Sequence, residues 1–138
     1  MGRPFIHPLR VRYAECDRQG VVFNSHYFAY FDIAMTELWR AAVGRYDAMI
    51  ERGVDMVVAE AQARFLDSAR FDDEIALEVT LERLGRTGST TRHRILRDGE
   101  PLVEGVMRHV FVDPDTMAKT PIPDWLREAL VPYLTPRS

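Results

Sequence analysis

Residues Ser25 to Gly44 are the most constraining stretch of the chain. Tyr27, Phe31, Ala34, Met35, Leu38, Ala41 and Ala42 recur at three- and four-residue spacing, the period of an α-helix. Ser25 or Asn24 can cap the first turn, no proline interrupts, and Gly44 supplies a stop. Phe28, Tyr30, Ile33 and Trp39 make the other faces apolar as well. A helix apolar nearly all round must be buried on most sides. The remaining elements therefore have to wrap it.

The rest of the chain offers strands for that task. Phe5 to Tyr13 reads as a first strand, interrupted early by Pro8. Val54 to Leu66 alternates, with Val57, Ala59, Ala61, Ala63 and Phe65 on one face and Val58, Glu60, Gln62, Arg64 and Leu66 on the other. The alanines leave room for a bulky helix to lie against them. Glu74 to Leu84 turns Ile75, Leu77, Val79 and Leu81 inward. Ser89 to Arg97 is a polar strand rich in Arg and Thr, followed by an Asp98-Gly99 hairpin turn. Leu102 to Val112 puts Val103, Gly105, Met107, His109 and Phe111 on one face. Short helices are expected over Asp47–Arg52 and Asp124–Leu130. Short connections make the later strand pairs antiparallel. The expectation is a single α+β domain over residues 1–138, an antiparallel five-stranded sheet wrapped around a long central helix. Such a sheet has exposed edges, and a homodimer joining two sheets edge to edge would cover one.

Composition narrows the function classes. Apolar residues make up 46% of the 138, and the net charge is −3. That balance supports a real core and gives no basic field for nucleic acid or an anionic membrane surface. No apolar run is long enough to span a bilayer, and the N-terminal residues lack the apolar core of a signal peptide. The single Cys16 rules out an intramolecular disulfide. A cytoplasmic protein is the simplest expectation. His7, His93 and His109 show no metal-ligand spacing, so no metal site is expected.

Just before the helix lies a loop, Ala14 to Val22, carrying Asp17, with Gly20 as its flexible point. The run Tyr13-Ala14-Glu15-Cys16-Asp17-Arg18-Gln19-Gly20-Val21-Val22-Phe23, followed by Tyr27, Tyr30-Phe31-Asp32 and Thr36-Glu37, resembles the hotdog-fold acyl-CoA thioesterases. The likeness is greatest to the 4-hydroxybenzoyl-CoA thioesterase type. It continues through Phe65 to Asp73 and Phe111-Val112-Asp113. It implies a hotdog fold, a homodimer or homotetramer with sites between subunits, and hydrolysis of an acyl-CoA thioester. It also implies Asp17 as the catalytic carboxylate and the backbone amide of Asn24 as the group that polarises the carbonyl. Members often carry His or Tyr where Asn24 stands, Asn in place of His26, and Thr in place of Cys16.

The chemistry suits the residues. Asp17 can attack the thioester or act as general base on water, while unsatisfied N–H groups at the helix start hold the oxyanion. A thiolate is already a competent leaving group, so no cofactor is needed; coenzyme A is part of the substrate. Candidate substrate contacts are Val22, Phe23, His26 and Tyr27 at the helix start and Glu60 across an interface. Arg86, Thr87 and Ser89 are candidates for the nucleotide or pantetheine, with Arg92, Arg94 and Arg97 as further phosphate-matching forks. The alternative for the arginines is a solvated strand face balanced by Glu78 and Glu82. The competing function is a non-catalytic acyl-CoA- or acyl-carrier-binding module. A hotdog dehydratase would need a His/acid pair that the His26 neighbourhood does not display.

Overall fold

The computed structural model describes residues 2–135. Alternation in the sequence becomes strands β1 (Phe5–Arg10), β2 (Asp55–Phe65), β3 (Glu74–Leu84), β4 (Gly88–Arg97) and β5 (Glu100–Val112). The helices are α1 (His26–Ala42), α2 (Tyr46–Glu51) and α3 (Asp124–Leu130), with 3-10 turns at Tyr13–Glu15 and Val131–Tyr133. The strands form one antiparallel sheet in the order β1-β3-β4-β5-β2. This is the α+β architecture expected, and β3 and α3 fall on the expected residues.

α1 packs its Tyr27, Tyr30, Phe31, Ala34, Met35, Leu38 and Trp39 onto the inner face of the sheet. There it meets Ile75, Leu77, Val79, Leu81, Val103, Met107 and Phe111, all buried. Ala29, Asp32, Thr36 and Arg40 remain exposed. Burial is thus less complete than an all-round apolar helix suggests, because one sheet leaves a flank of α1 open. Ser25 occupies the position before the helix, yet its side chain makes no capping bond.

Phe31 seats where β5 has no side chain. A Cβ at Gly105 would stand 2.4 Å from the Phe31 ring and 2.7 Å from the Gln62 carbonyl oxygen. Glycine is what lets the ring reach the sheet.

β2 departs from a regular alternation. Its ladder with β5 slips between Val58 and Glu60, leaving Ala59 as a bulge. Met56 and Val58 lie opposite the inward Phe111 and His109, whereas Ala61, Ala63 and Phe65 lie opposite Met107, Gly105 and Val103. The inner face is therefore even-numbered before the bulge and odd-numbered after it, so Val57 and Ala59 do not join the inner stripe. A single inserted residue reverses the parity of everything before it. β1 is also shorter than expected. Val11 is bonded to the Asp73 carbonyl at 2.9 Å, and the chain then tightens into the first 3-10 turn.

β4 supplies an inner face that is mostly polar. Ser89, Thr91 and His93 are buried, as is His109 of β5. His93 Nε2 lies 2.8 Å from Thr91 Oγ1, and its ring is 4.7 Å from that of Phe31. Among the described residues, His93 Nδ1, His109 Nδ1 and Ser89 Oγ have no hydrogen-bond partner. Burial pushes His93 down to about 3, with the His109 charge adding to the effect; burial lowers His109 too. The unfolded chain therefore takes up protons near 6.5 that the folded chain refuses. Stability is full above that value and falls as the pH drops below it, by about 1.4 kcal/mol per pH unit for each fully linked histidine. Urea midpoints at pH 7.5, 6.5 and 5.5 are expected to decline progressively, and His93→Gln is expected to flatten the decline. A midpoint independent of pH contradicts the assignment.

Candidate active site

The Asp17 loop is a small hairpin rather than a flexible loop. Cys16 and Val22 form a bridge, and the Asp17 N–H donates to the Val21 carbonyl at 2.9 Å. Gly20 takes the left-handed φ of 78° that closes the turn. The hairpin is stitched to the segment before β3, because Val22 N–H donates to Ala69 at 2.8 Å and Phe71 N–H to Gly20 at 3.0 Å. Asp17 is exposed. Its Oδ1 accepts from the Gln19 N–H at 2.8 Å; among the described residues Oδ2 makes no hydrogen bond and faces solvent chemistry unencumbered.

The hairpin runs straight into α1. Its first amides fold back locally: His26 N–H donates to Phe23, Tyr27 to Asn24 and Phe28 to Ser25, at 2.8, 3.3 and 3.2 Å. Among the described residues, the N–H groups of Asn24 and Ser25 have no acceptor. Both residues are exposed. Two free amides thus stand at the positive end of a 17-residue helix, an arrangement suited to an oxyanion.

An exposed aromatic rim surrounds this end of the molecule. Tyr13 and Phe71 meet edge-on at 5.8 Å, and Phe23, Phe65 and Leu66 are also exposed. Cys16 is half-buried. Burial, then the carboxylates of Glu15, Asp17 and Asp73, push its thiol up, which works against a thiolate nucleophile.

Some expected contacts turn away from the site. Val22 is buried in the core. Tyr27 is buried too, and its hydroxyl accepts from the Ala69 N–H at 3.0 Å; it anchors the segment before β3. Ser89 is buried on the inner face opposite His109, because the strand parity set by the β3–β4 turn points it inward. It cannot reach a nucleotide in solvent. His26 is half-buried, and no hydrogen bond joins it to Asp17 among the described residues. Phe23 does stand exposed beside Asn24.

Arg86 and Thr87 lie at the other end of the sheet. β3 starts beside the Asp17 hairpin and runs 11 residues before reaching them, a rise of about 33 Å. The structure does not bring them to the same chain's Asp17. Arg94 and Arg92 are paired with Glu78 and Glu82, and Arg97 with Asp73 at 2.7 Å, the balanced face rather than open phosphate forks. Glu60 sits on the outer face of the β2 edge, 3.3 Å from Arg108.

A cavity of about 360 Å³ opens at the far half of α1, between that helix, α2 and the first half of β2. Met35, Trp39, Met56 and Val58 give apolar walls, with Asp32 and His109 among its polar groups. No sequence pattern pointed to it, since it depends on the bulge that turns Val58 inward.

The profile of the Thioesterase-like superfamily matches residues 11–130. The chain belongs to this superfamily. It is 28% identical over 120 residues to the acyl-CoA thioester hydrolase YbgC of Escherichia coli O6:H1, covering 86% of this chain and 90% of that one. It is 26% identical over 106 residues to the 4-hydroxybenzoyl-CoA thioesterase of Pseudomonas sp. strain CBS-3, covering 70% and 71%. The crystal structure of the Thermus thermophilus protein TT1821 superposes with a TM-score of 0.86 at 30% identity, covering 93% of this chain and 98% of that one. The fold is the hotdog fold of such thioesterases.

The buried placement of Ser89 in this superfamily member is testable. Ser89→Ala removes a hydroxyl without a partner, so it is expected to leave the KM for acyl-CoA unchanged and the thermal midpoint equal or higher. A raised KM at unchanged stability would return Ser89 to the substrate.

Proposed function

We propose that the protein hydrolyses acyl-CoA thioesters to a free acid and coenzyme A, with Asp17 and the helix-start amides as its machinery. The observation that carries this reading is the pair of acceptor-free N–H groups at Asn24 and Ser25, held on the same hairpin-to-helix segment as the exposed Asp17. Membership of the thioesterase-like superfamily supports it.

Two routes suit the geometry. In the first, Asp17 takes a proton from water, whose oxygen attacks the thioester carbon. In the second, a carboxylate oxygen attacks that carbon and forms a mixed anhydride, which water then cleaves. In both, the carbonyl oxygen gains negative charge, and the Asn24 and Ser25 amides hold it. Collapse breaks the C–S bond, and the coenzyme A thiolate leaves and is protonated.

The working unit in this reading is a homodimer built through β2. Among the described residues that strand is bonded only to β5, and it exposes Val58 and Phe65. An uncovered edge of 11 residues is an invitation to pairing. A two-fold axis across β2 runs the two strands antiparallel. The end of one sheet carrying the α1–α2–β2 cavity, Arg86 and Thr87 then meets the end of the other carrying Asp17. The cavity becomes the acyl pocket and Arg86 a phosphate contact for the neighbouring Asp17. Residues whose placement failed within one chain regain a role across two. No helix among the described residues is long and apolar enough to cross a membrane, and a lone cysteine suits the reducing cytoplasm.

CoA release from a panel of aryl- and fatty acyl-CoAs tests this reading with wild type and Asp17→Asn. The expected loss in kcat for the variant is about 10²–10⁴-fold. Equal rates remove Asp17 from the mechanism. Calorimetric binding of acyl-CoA without turnover by the wild type supports the binding-module reading instead.

A further inference from the structure

Glu15 is the one buried side-chain carboxylate among the described residues, at 4% exposure, and the hydrolytic chemistry makes no use of it. Both its oxygens are fully engaged. Oε1 accepts from the Arg12 backbone N–H and from the Tyr30 hydroxyl, each at 2.8 Å. Oε2 accepts from Arg12 Nε and Nη2, at 3.2 and 2.8 Å. Burial alone would raise this carboxyl; the bonds from Arg12 and Tyr30 outweigh it and hold it below the usual carboxylate range. Glu15 is therefore an ionised anchor with no lone pair left for a substrate.

What it anchors is both halves of the site. Its backbone carbonyl accepts from the Phe23 N–H at 3.0 Å, and Phe23 immediately precedes Asn24. Its side chain accepts from Tyr30, which is fully buried in the second turn of α1. Asp17 follows two residues later on the same hairpin. One residue thus fixes the carboxylate-bearing strand, the strand that delivers the helix-start amides, and the helix itself. Among the described residues, the hydrogen bond from the Tyr30 hydroxyl is the only one by which the helix body holds the Glu15 side chain; Arg12 ties it to its own turn.

We propose that Glu15 and Tyr30 are a positioning pair, setting the place of Asp17 relative to the Asn24 and Ser25 amides. The inference rests on the hydrolase reading. A carboxylate misplaced by an ångström costs rate and leaves binding alone. Removing the Tyr30 hydroxyl frees the hairpin to shift against the helix without opening a void, since phenylalanine has the same ring.

The test uses Tyr30→Phe and Glu15→Gln in the full chain, with two readouts. The first is steady-state CoA release with wild type alongside. The expected result for Tyr30→Phe is a fall in kcat of about ten-fold with KM unchanged, and a larger fall for Glu15→Gln. The second is amide hydrogen exchange, which needs no turnover. Exchange at Val22 and Phe23 is expected to rise about ten-fold in Tyr30→Phe, with the β3 and β4 amides unchanged. A wild type that hydrolyses no thioester removes the hydrolase reading, and the exchange result then decides the anchor by itself. An active wild type whose Tyr30→Phe variant keeps kcat overturns the positioning role. So does exchange that rises uniformly across the strands, which marks the pair as a general stability contact. Should Glu15→Gln fail to fold, Tyr30→Phe carries both readouts.

Discussion

The molecule depends on how closely α1 approaches its sheet. Phe31 lies over the gap left by Gly105 and beside the His93 ring. That contact sets the height of the helix above the strands and the position of its N-terminus. The Asp17 hairpin is then tied to the helix by Glu15 and Tyr30 and to the sheet side by Val22, Tyr27 and Ala69. The candidate site is what remains exposed once those ties are made. Its amides are free because the turn before α1 folds back with its carbonyls and leaves two N–H groups unspent.

Much of this was legible from residue patterns, and the failures have physical reasons. β3 was readable because its apolar residues alternate without interruption, and α1 because helical spacing persists over five turns. The Asp17 and Asn24 assignment came from family likeness; spacing alone shows one carboxylate before a helix. The alternation that points Val57 and Ala59 inward fails because a bulge has no local signature in a strand of small residues. Ser89 lies inside although a polar residue on a polar strand looks like surface. Only the pairing with His109 shows that β4 turns its Ser89, Thr91 and His93 inward. Glu15 escaped notice because nothing in Tyr13-Ala14-Glu15 separates it from a solvated charge. Its burial is created by Tyr30, a residue on another element. Chemistry alone assigns Arg86 and Thr87 to the nucleotide or pantetheine, and the length of β3 separates them from the same chain's Asp17.

That separation gives the open β2 edge its significance. Within one chain, the cavity and the Asp17 hairpin lie at opposite ends of α1, whose 17 residues span about 25 Å. The two differ in what they hold: the hairpin has a carboxylate and helix-start amides but only a shallow aromatic rim, and the cavity has apolar walls but no helix-start amides. In the proposed dimer, antiparallel pairing of two β2 edges would unite them. The same pairing would cover strand groups that otherwise invite other chains.

Subunit complementation tests that central claim most directly. Asp17→Asn removes the carboxylate, and Thr36→Trp plugs the mouth of the cavity, which Thr36 lines. Each variant alone is predicted to be inactive. Mixed and allowed to exchange subunits, they are predicted to recover about a quarter of wild-type activity, because half the dimers are hybrid and each hybrid holds one intact site. A mixture that stays inactive after native mass spectrometry has shown hybrid dimers would contradict a site shared between chains.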